Sequence, residues 1–202
     1  MFVRTAAPAL LVVLLLSGCQ APLAEELAPS AAPNPETATG ETIQGSSAAL
    51  QPARTPVPPV RVQVGSVGID IPVDPVGIAA DGQMAVPENI DRGGWYQYGS
   101  DPASPTGTTV IAAHVDSYAD GIGPFAYLKT LVPGTEIVVS ASDGTDHRYS
   151  VESVVSVPRD QLPRDDVFDR AGAPRLILIT CGGQFGGGEY TDNVIVVATP
   201  LS

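Results

Sequence analysis

The pattern of apolar and polar positions divides the chain into a short apolar head, a long stretch without periodicity, and strand-like runs from about residue 60 onward. Val60-Arg-Val-Gln-Val64 alternates apolar and polar residues, the period of a half-buried strand. Thr135-Glu-Ile-Val-Val-Ser140 and His147-Arg-Tyr-Ser-Val-Glu-Ser-Val154 flank the turn dipeptide Asp143-Gly144 and predict a β-hairpin. Thr108–Ala113, Leu176–Thr180 and Val194–Ala198 are near-continuous apolar runs of strand length, as expected of strands buried on both faces. Helix is expected only in short pieces, over Phe125–Thr130 and in a turn near Arg159–Phe168. The 21 Gly and 20 Pro residues punctuate the strands at short intervals. Many short strands with such turns predict an all-β barrel or sandwich.

The head is a different kind of segment. Met1–Arg4 carries one positive charge, Ala6–Leu16 is apolar, and Leu16-Ser17-Gly18-Cys19 closes it. This resembles a bacterial lipobox, in which lipid is attached to the cysteine and cleavage leaves that cysteine first in the mature chain. The apolar run falls short of the ~20 residues a comfortable transmembrane helix needs. An ordinary secretory signal and a marginal membrane anchor are the alternatives, and all three place the chain outside the cytoplasm. Residues 1–19 are therefore expected to be a lipoprotein signal peptide with Cys19 as the lipidation site. Residues 20–59, rich in Ala, Pro, Thr, Ser and Glu, are expected to form a disordered tether. About 40 such residues span roughly 35 Å as a coil and up to roughly 125 Å extended. Residues 60–202 have the length of one domain.

The net charge of −12, with no basic run, excludes nucleic acid as an expected partner, since binding a phosphate backbone requires clustered Lys and Arg. Cys181 ends the run Arg175-Leu-Ile-Leu-Ile-Thr-Cys181, and if Cys19 carries lipid it is the only free thiol of the mature chain. An unpaired cysteine in an oxidising compartment calls for a reason. His114 follows the Thr108–Ala113 run as Cys181 follows its own, so both are expected at strand ends on one rim of a barrel. A nearby imidazolium stabilises a thiolate, the arrangement used in cysteine acyl transfer. His147 lies in a polar hairpin beside Asp146 and Arg148 and is expected to be exposed. Two histidines and one free cysteine show no metal-ligand spacing, and no cofactor is implied.

Thr180-Cys181 closing one strand, Ala113-His114-Val-Asp116-Ser117 after another, Gly94-Trp95-Tyr96 upstream and Tyr190-Thr191-Asp192-Asn193-Val194 downstream resemble the sortases, particularly the class F group of actinobacteria. Ile71-Pro72-Val73, the Asp81-Gly82 turn and Phe125-Ala-Tyr-Leu128 extend the likeness over nearly all of residues 60–202. The resemblance implies an eight-stranded β-barrel cysteine transpeptidase with short helices in its loops. It implies that Cys181 attacks the Thr-Gly bond of an LPxTG-like sorting signal on a surface protein. The resulting thioacyl intermediate passes to an amine acceptor, such as a cell-wall peptide. His114 is then the general acid, and Thr180 lines the pocket. Trp95 and Tyr96 are expected to pack the barrel.

The chain departs from the family in two respects. Sortases place an arginine on or just before the strand after the nucleophile, whereas this chain has no Lys or Arg after Arg175, and the matching stretch is Gly186-Gly-Gly-Glu-Tyr190-Thr191. Tyr190, Thr191 and Asn193 are the nearest substitutes in sequence, and Arg92, Arg159 and Arg164 are candidates reaching in from loops; Asp116, beside the histidine, is expected as a supporting residue of the site. Sortases also generally anchor through a transmembrane helix, whereas here lipid on Cys19 would hold the domain at the membrane, facing the wall. The alternatives that remain are a catalytically impaired sortase-like binding lipoprotein and a hydrolytic cysteine peptidase. The Gly182–Gly188 segment has no phosphate-loop Lys or Ser/Thr and reads as either a mobile gating loop or a long hairpin with glycine at its turn.

Overall fold

The computed structural model describes residues 54–201. Ten strands follow in chain order: β1 (Pro59–Val64), β2 (Ile69–Val76), β3 (Gly93–Tyr96), β4 (Thr108–Ala112), β5 (Asp116–Ser117), β6 (Gly121–Ile122), β7 (Glu136–Ala141), β8 (Asp146–Pro158), β9 (Arg175–Gly186) and β10 (Glu189–Pro200). Eight of them close a barrel in the order β1-β2-β3-β4-β9-β10-β8-β7, while β5 and β6 form a separate two-stranded ribbon. Among the described residues, helix is confined to short 3₁₀ turns, the longest being Pro124–Thr130, and one α-helical turn, α1 (Arg164–Val167). The all-β barrel and the two short helical regions expected from the sequence are both present.

The interior follows from the two-residue period of the strands. Val62 and Val64 of β1, Ile69, Ile71 and Val73 of β2, Ile111 of β4, Leu176 and Leu178 of β9, and Val194, Val196 and Ala198 of β10 pack into one buried cluster. The 3₁₀ segment presses Phe125 and Leu128 into it, each fully buried. Trp95 belongs to the same core, and its indole N–H donates to the Ser100 carbonyl at 3.0 Å.

The runs in β4, β9 and β10 are apolar at consecutive positions because their outer face is covered as well. Val110, Ile177 and Ile195 form a second cluster outside the barrel, with Tyr96, Leu162, Val167 and Phe168 packed over them. Tyr96 therefore packs outside the barrel wall, edge-on to Phe168 with ring centroids 5.1 Å apart. The segment after β8 that carries α1 is the cover.

Two expectations are corrected. His147 is half-buried, opposite Val139 in the β7–β8 ladder, and its Nε2 is shielded from solvent without a hydrogen-bond partner. Cys181 does not end its strand: β9 runs on to Gly186 and pairs with β10 across a turn at Gly187-Gly188. Both turn glycines have positive φ, 64° and 91°, as a two-residue turn of the I′ kind requires. The glycine-rich stretch is thus a long hairpin. The segment expected to be a signal peptide, with Cys19, and most of the expected tether lie outside the described residues.

Candidate active site

Strand register sets the geometry of this site. β4 and β9 are parallel, with Val110 opposite Ile177, Ile111 opposite Leu178 and Ala112 opposite Ile179. The first pair lies in the outer cluster and the second in the inner one, so alternation turns Ala113 and Thr180 inward and His114 and Cys181 outward. Ala113 still donates its N–H to the Ile179 carbonyl at 3.3 Å, carrying the register one step past the end of β4. Extrapolated one further step, the same register brings His114 level with Cys181. The pair expected at a barrel rim therefore sits on the outer face of the wall, at the end of the apolar strip formed by Val110, Ile177 and Ile179.

Thr180 and Ala113 hold this arrangement from behind. The Thr180 hydroxyl, 5% exposed, donates to the Ala113 carbonyl at 2.8 Å. Expected to line the pocket, Thr180 instead faces the interior and ties the backbone before Cys181 to the backbone before His114. A buried carbonyl left without a partner is costly, so the contact fixes both residues.

On the other side of Cys181 lies β10. Asn193 is directly opposite Cys181 and half-buried, which places its side chain on the same outer face. Between Asp192 and Tyr190 the ladder is bulged: Asp192 opposes Gly182 and Tyr190 opposes Phe185, leaving Gly183 and Gln184 facing Thr191. Gly183 takes φ +77°, and a Cβ there would stand 2.3 Å from Thr191 Oγ1 and 2.7 Å from Asp192 Cγ. Gln184 donates its N–H to Thr191 Oγ1 at 3.1 Å. A β-bulge next to a reactive residue re-aims the strand beyond it, here carrying the hairpin past the thiol.

Asp116 and Tyr190 close the front of the site. Asp116 begins β5, two residues after His114, and accepts the Tyr190 hydroxyl proton. This bond joins the loop after His114 to the β9–β10 hairpin and pushes the Tyr190 phenol up from its ordinary pKa. Tyr190 also packs on Phe185, centroids 5.0 Å apart.

Cys181 is half-buried and is the free cysteine among the described residues. Burial, the largest influence, pushes its thiol up; Arg159 pulls it down, and Asp116 and Glu189 push it up again. Arg159 follows β8 and makes an ion pair with Glu189 at 3.5 Å. With Asp160, Gly186, Tyr190 and Thr191 the two line a shallow recess of about 470 Å³. The other two candidate loop arginines are engaged elsewhere: Arg92 with Asp74 at 2.5 Å, and Arg164 with Gln83 at 3.3 Å. Arg175 binds Thr108 Oγ1 at 2.9 Å and Asp166 at 2.8 Å, at the far end of β9. Among the described residues, no group of His, Cys, Asp and Glu is placed to hold a metal ion.

The arrangement offers a half-buried thiol for nucleophilic chemistry at the end of the covered apolar strip, where Ile179 is partly exposed. Sequence alone pointed to Cys181 and His114 as candidates but showed neither the inward turn of Thr180, which depends on register, nor the covering role of Leu162 and Phe168, which lie in no periodic run.

Residues 62–201 match the sortase domain family. The fold is similar to that of sortase C-1 from Actinomyces oris, at 20% identity and a TM-score of 0.53, covering 70% of this chain and 71% of that one. It is also similar to the Group B Streptococcus pilus island 1 sortase C2, at 19% identity and a TM-score of 0.54 over 70% and 73% of the two chains. Sortase A from Corynebacterium diphtheriae matches at 15% identity and a TM-score of 0.53, over 74% of this chain and 63% of that one. Among curated proteins, none matches the chain in sequence. With the barrel closed and the family domain covering most of its length, the chain belongs to the sortase family, whose members are cysteine transpeptidases acting on sorting-signal peptides and amine acceptors.

Proposed function

We propose that the protein cleaves an LPxTG-like sorting signal through a thioacyl enzyme and transfers the acyl group to an amine, with Cys181 as nucleophile and His114 as general acid and base. The reading is supported by the β4–β9 register and the Thr180–Ala113 bond, which join the residues immediately before Cys181 and His114. A proton moves from the Cys181 thiol to His114. The thiolate adds to the scissile carbonyl carbon, forming the S–C bond while the carbonyl π pair moves to oxygen. As that pair returns, the C–N bond breaks and the His114 imidazolium protonates the leaving amine. An incoming amine then adds to the thioester, gives a proton to His114, and expels the Cys181 thiolate. At the end of the covered strip along β4 and β9, the partly exposed Ile179, Leu162 and Tyr96 offer apolar contact to the first residues of such a signal.

The order and spacing of the sequence motifs support a class F enzyme. The lipobox at Cys19 supports a lipid-anchored, extracytoplasmic protein in which residues 20–59 tether the catalytic domain 60–202. A test incubates the protein with an LPxTG-type peptide, with and without an amine acceptor such as triglycine. Amine-dependent transfer product is expected. Cleavage unaffected by the amine would assign the chain as a hydrolytic cysteine peptidase, and no cleavage would favour a binding lipoprotein.

A further inference from the structure

Acyl transfer places a full negative charge on the carbonyl oxygen in the tetrahedral state, and His114, occupied with the thiol and the leaving amine, does not meet it. The strand after the nucleophile offers no cation: β10 carries none from Glu189 to Pro200. The strand beyond it does. In the barrel order β4-β9-β10-β8, Asn193 is opposite Cys181 on one side and Val157 on the other. Val157 packs with the outer cluster, so it shares the outer face with Cys181, two strands or roughly 10 Å away at ~4.8 Å per strand. β8 ends at Pro158 and Arg159 follows. His114 and Arg159 thus flank Cys181 from opposite sides of the same face.

We propose that Arg159, brought in from the end of β8, is the cation of this active site: its guanidinium donates hydrogen bonds to the oxyanion formed when Cys181 adds to the scissile carbonyl. Glu189 holds the side chain over the recess beside Tyr190 and Thr191 when no substrate is bound. That ion pair is suited to being given up. At 3.5 Å, with its two side chains 43% and 75% exposed, it belongs to the class of solvent-screened surface pairs that contribute little to stability. Arg92, Arg164 and Arg175 are already committed to other partners. The charged and titratable groups around Cys181 are His114 from the β4 side, Asp116 from β5, Arg159 from β8, and Glu189 and Tyr190 from β10. Of these, Arg159 is the one fixed positive charge, and its pull on the thiol agrees with the geometry.

The proposal rests on the acyl-transfer reading, and two measurements separate their failures. With an LPxTG-type peptide, Arg159→Ala is expected to lower kcat by roughly 10²- to 10³-fold with little change in KM, the cost of one lost oxyanion donor. Arg159→Lys keeps part of the rate, and Thr191→Arg in the Arg159→Ala background restores part of it, because position 191 shares the face of Asn193. Arg61→Ala, whose guanidinium pairs with Asp70 on β1 and β2, is the control expected to leave turnover unchanged. Without any peptide, iodoacetamide alkylation at pH 7 is expected to slow by up to about tenfold in Arg159→Ala, one pKa unit being tenfold in thiolate, and to quicken in Glu189→Gln. If the wild-type protein turns over no peptide, the acyl-transfer reading fails and the alkylation rates alone decide whether Arg159 faces the thiol. Unchanged alkylation in Arg159→Ala, or unchanged kcat in a protein that turns the peptide over, overturns the proposal.

Discussion

The Thr180 hydroxyl donates to the Ala113 carbonyl across the β4–β9 seam at 2.8 Å, joining the residue before Cys181 to the residue before His114. Thr180→Val keeps the volume and removes the donor, leaving a buried carbonyl unpaired at a cost of about 1–3 kcal/mol. The expected outcome is a lowered Tm and a fall in kcat larger than the change in KM, with Thr180→Ser recovering both. A Thr180→Val protein as stable and active as wild type would show that the seam does not position the pair.

Gly183 is the pivot of the bulge beside the nucleophile. An alanine there meets Thr191 Oγ1 at 2.3 Å and must hold φ +77°, so Gly183→Ala is expected to cost about 1–3 kcal/mol and to displace the hairpin carrying Tyr190. Gly186→Ala, with open space around its Cβ, is the comparison and is expected to be nearly neutral. Thermal melts and peptide turnover of the two variants check this. Equal melting temperatures would mean that the hairpin relaxes without strain.

The state of the thiol is readable by pH. Burial is the main influence on Cys181 and it raises the pKa above the ordinary 9.0. Because the thiolate is the reactive form, the alkylation rate of the free protein is expected to keep rising beyond pH 9. A plateau below pH 8 would instead place a stronger cation against the sulfur than the structure does.

Tyr149 gives a stability prediction away from the site. It is 3% exposed and burial pushes its phenol from 10.0 up to about 12. The folded protein keeps the proton where the unfolded chain loses it, so this contribution is intact below pH 10 and is lost as pH rises through about 12. Two pKa units amount to roughly 3 kcal/mol. Denaturant unfolding at pH 9 and pH 11 should show the wild type losing more stability than Tyr149→Phe; equal losses would mean that the phenol is solvated.

The barrel was legible where the pattern is strong. Leu176–Thr180 and Val194–Ala198, rich in β-branched residues and of strand length, read as buried strands and are so, and Asp143-Gly144 does turn between β7 and β8. β2 was harder to read because Pro72 and Pro75 interrupt it, residues ordinarily confined to edges. β3 has only four residues, two of them glycine. Cys181 and His114 were legible as residue types at the ends of apolar runs. Their outward direction was not, because a one-residue change of register reverses every side chain and no local signal fixes the register of two parallel strands 67 residues apart in the ladder. Arg159 was one of three candidate loop arginines, with Arg92 and Arg164; only the barrel order brings it to the face of Cys181.

The central claim, that Cys181 forms a thioacyl enzyme with a sorting signal, is tested most directly by intact-mass spectrometry of the protein incubated with an LPxTG-type peptide, beside Cys181→Ala. The predicted result is an adduct of the peptide's N-terminal fragment through its threonine, on the wild type alone, which hydroxylamine or an added amine discharges. A folded wild-type protein with an alkylatable thiol that forms no adduct with any of several LPxTG variants, or an adduct that persists in Cys181→Ala, would contradict it.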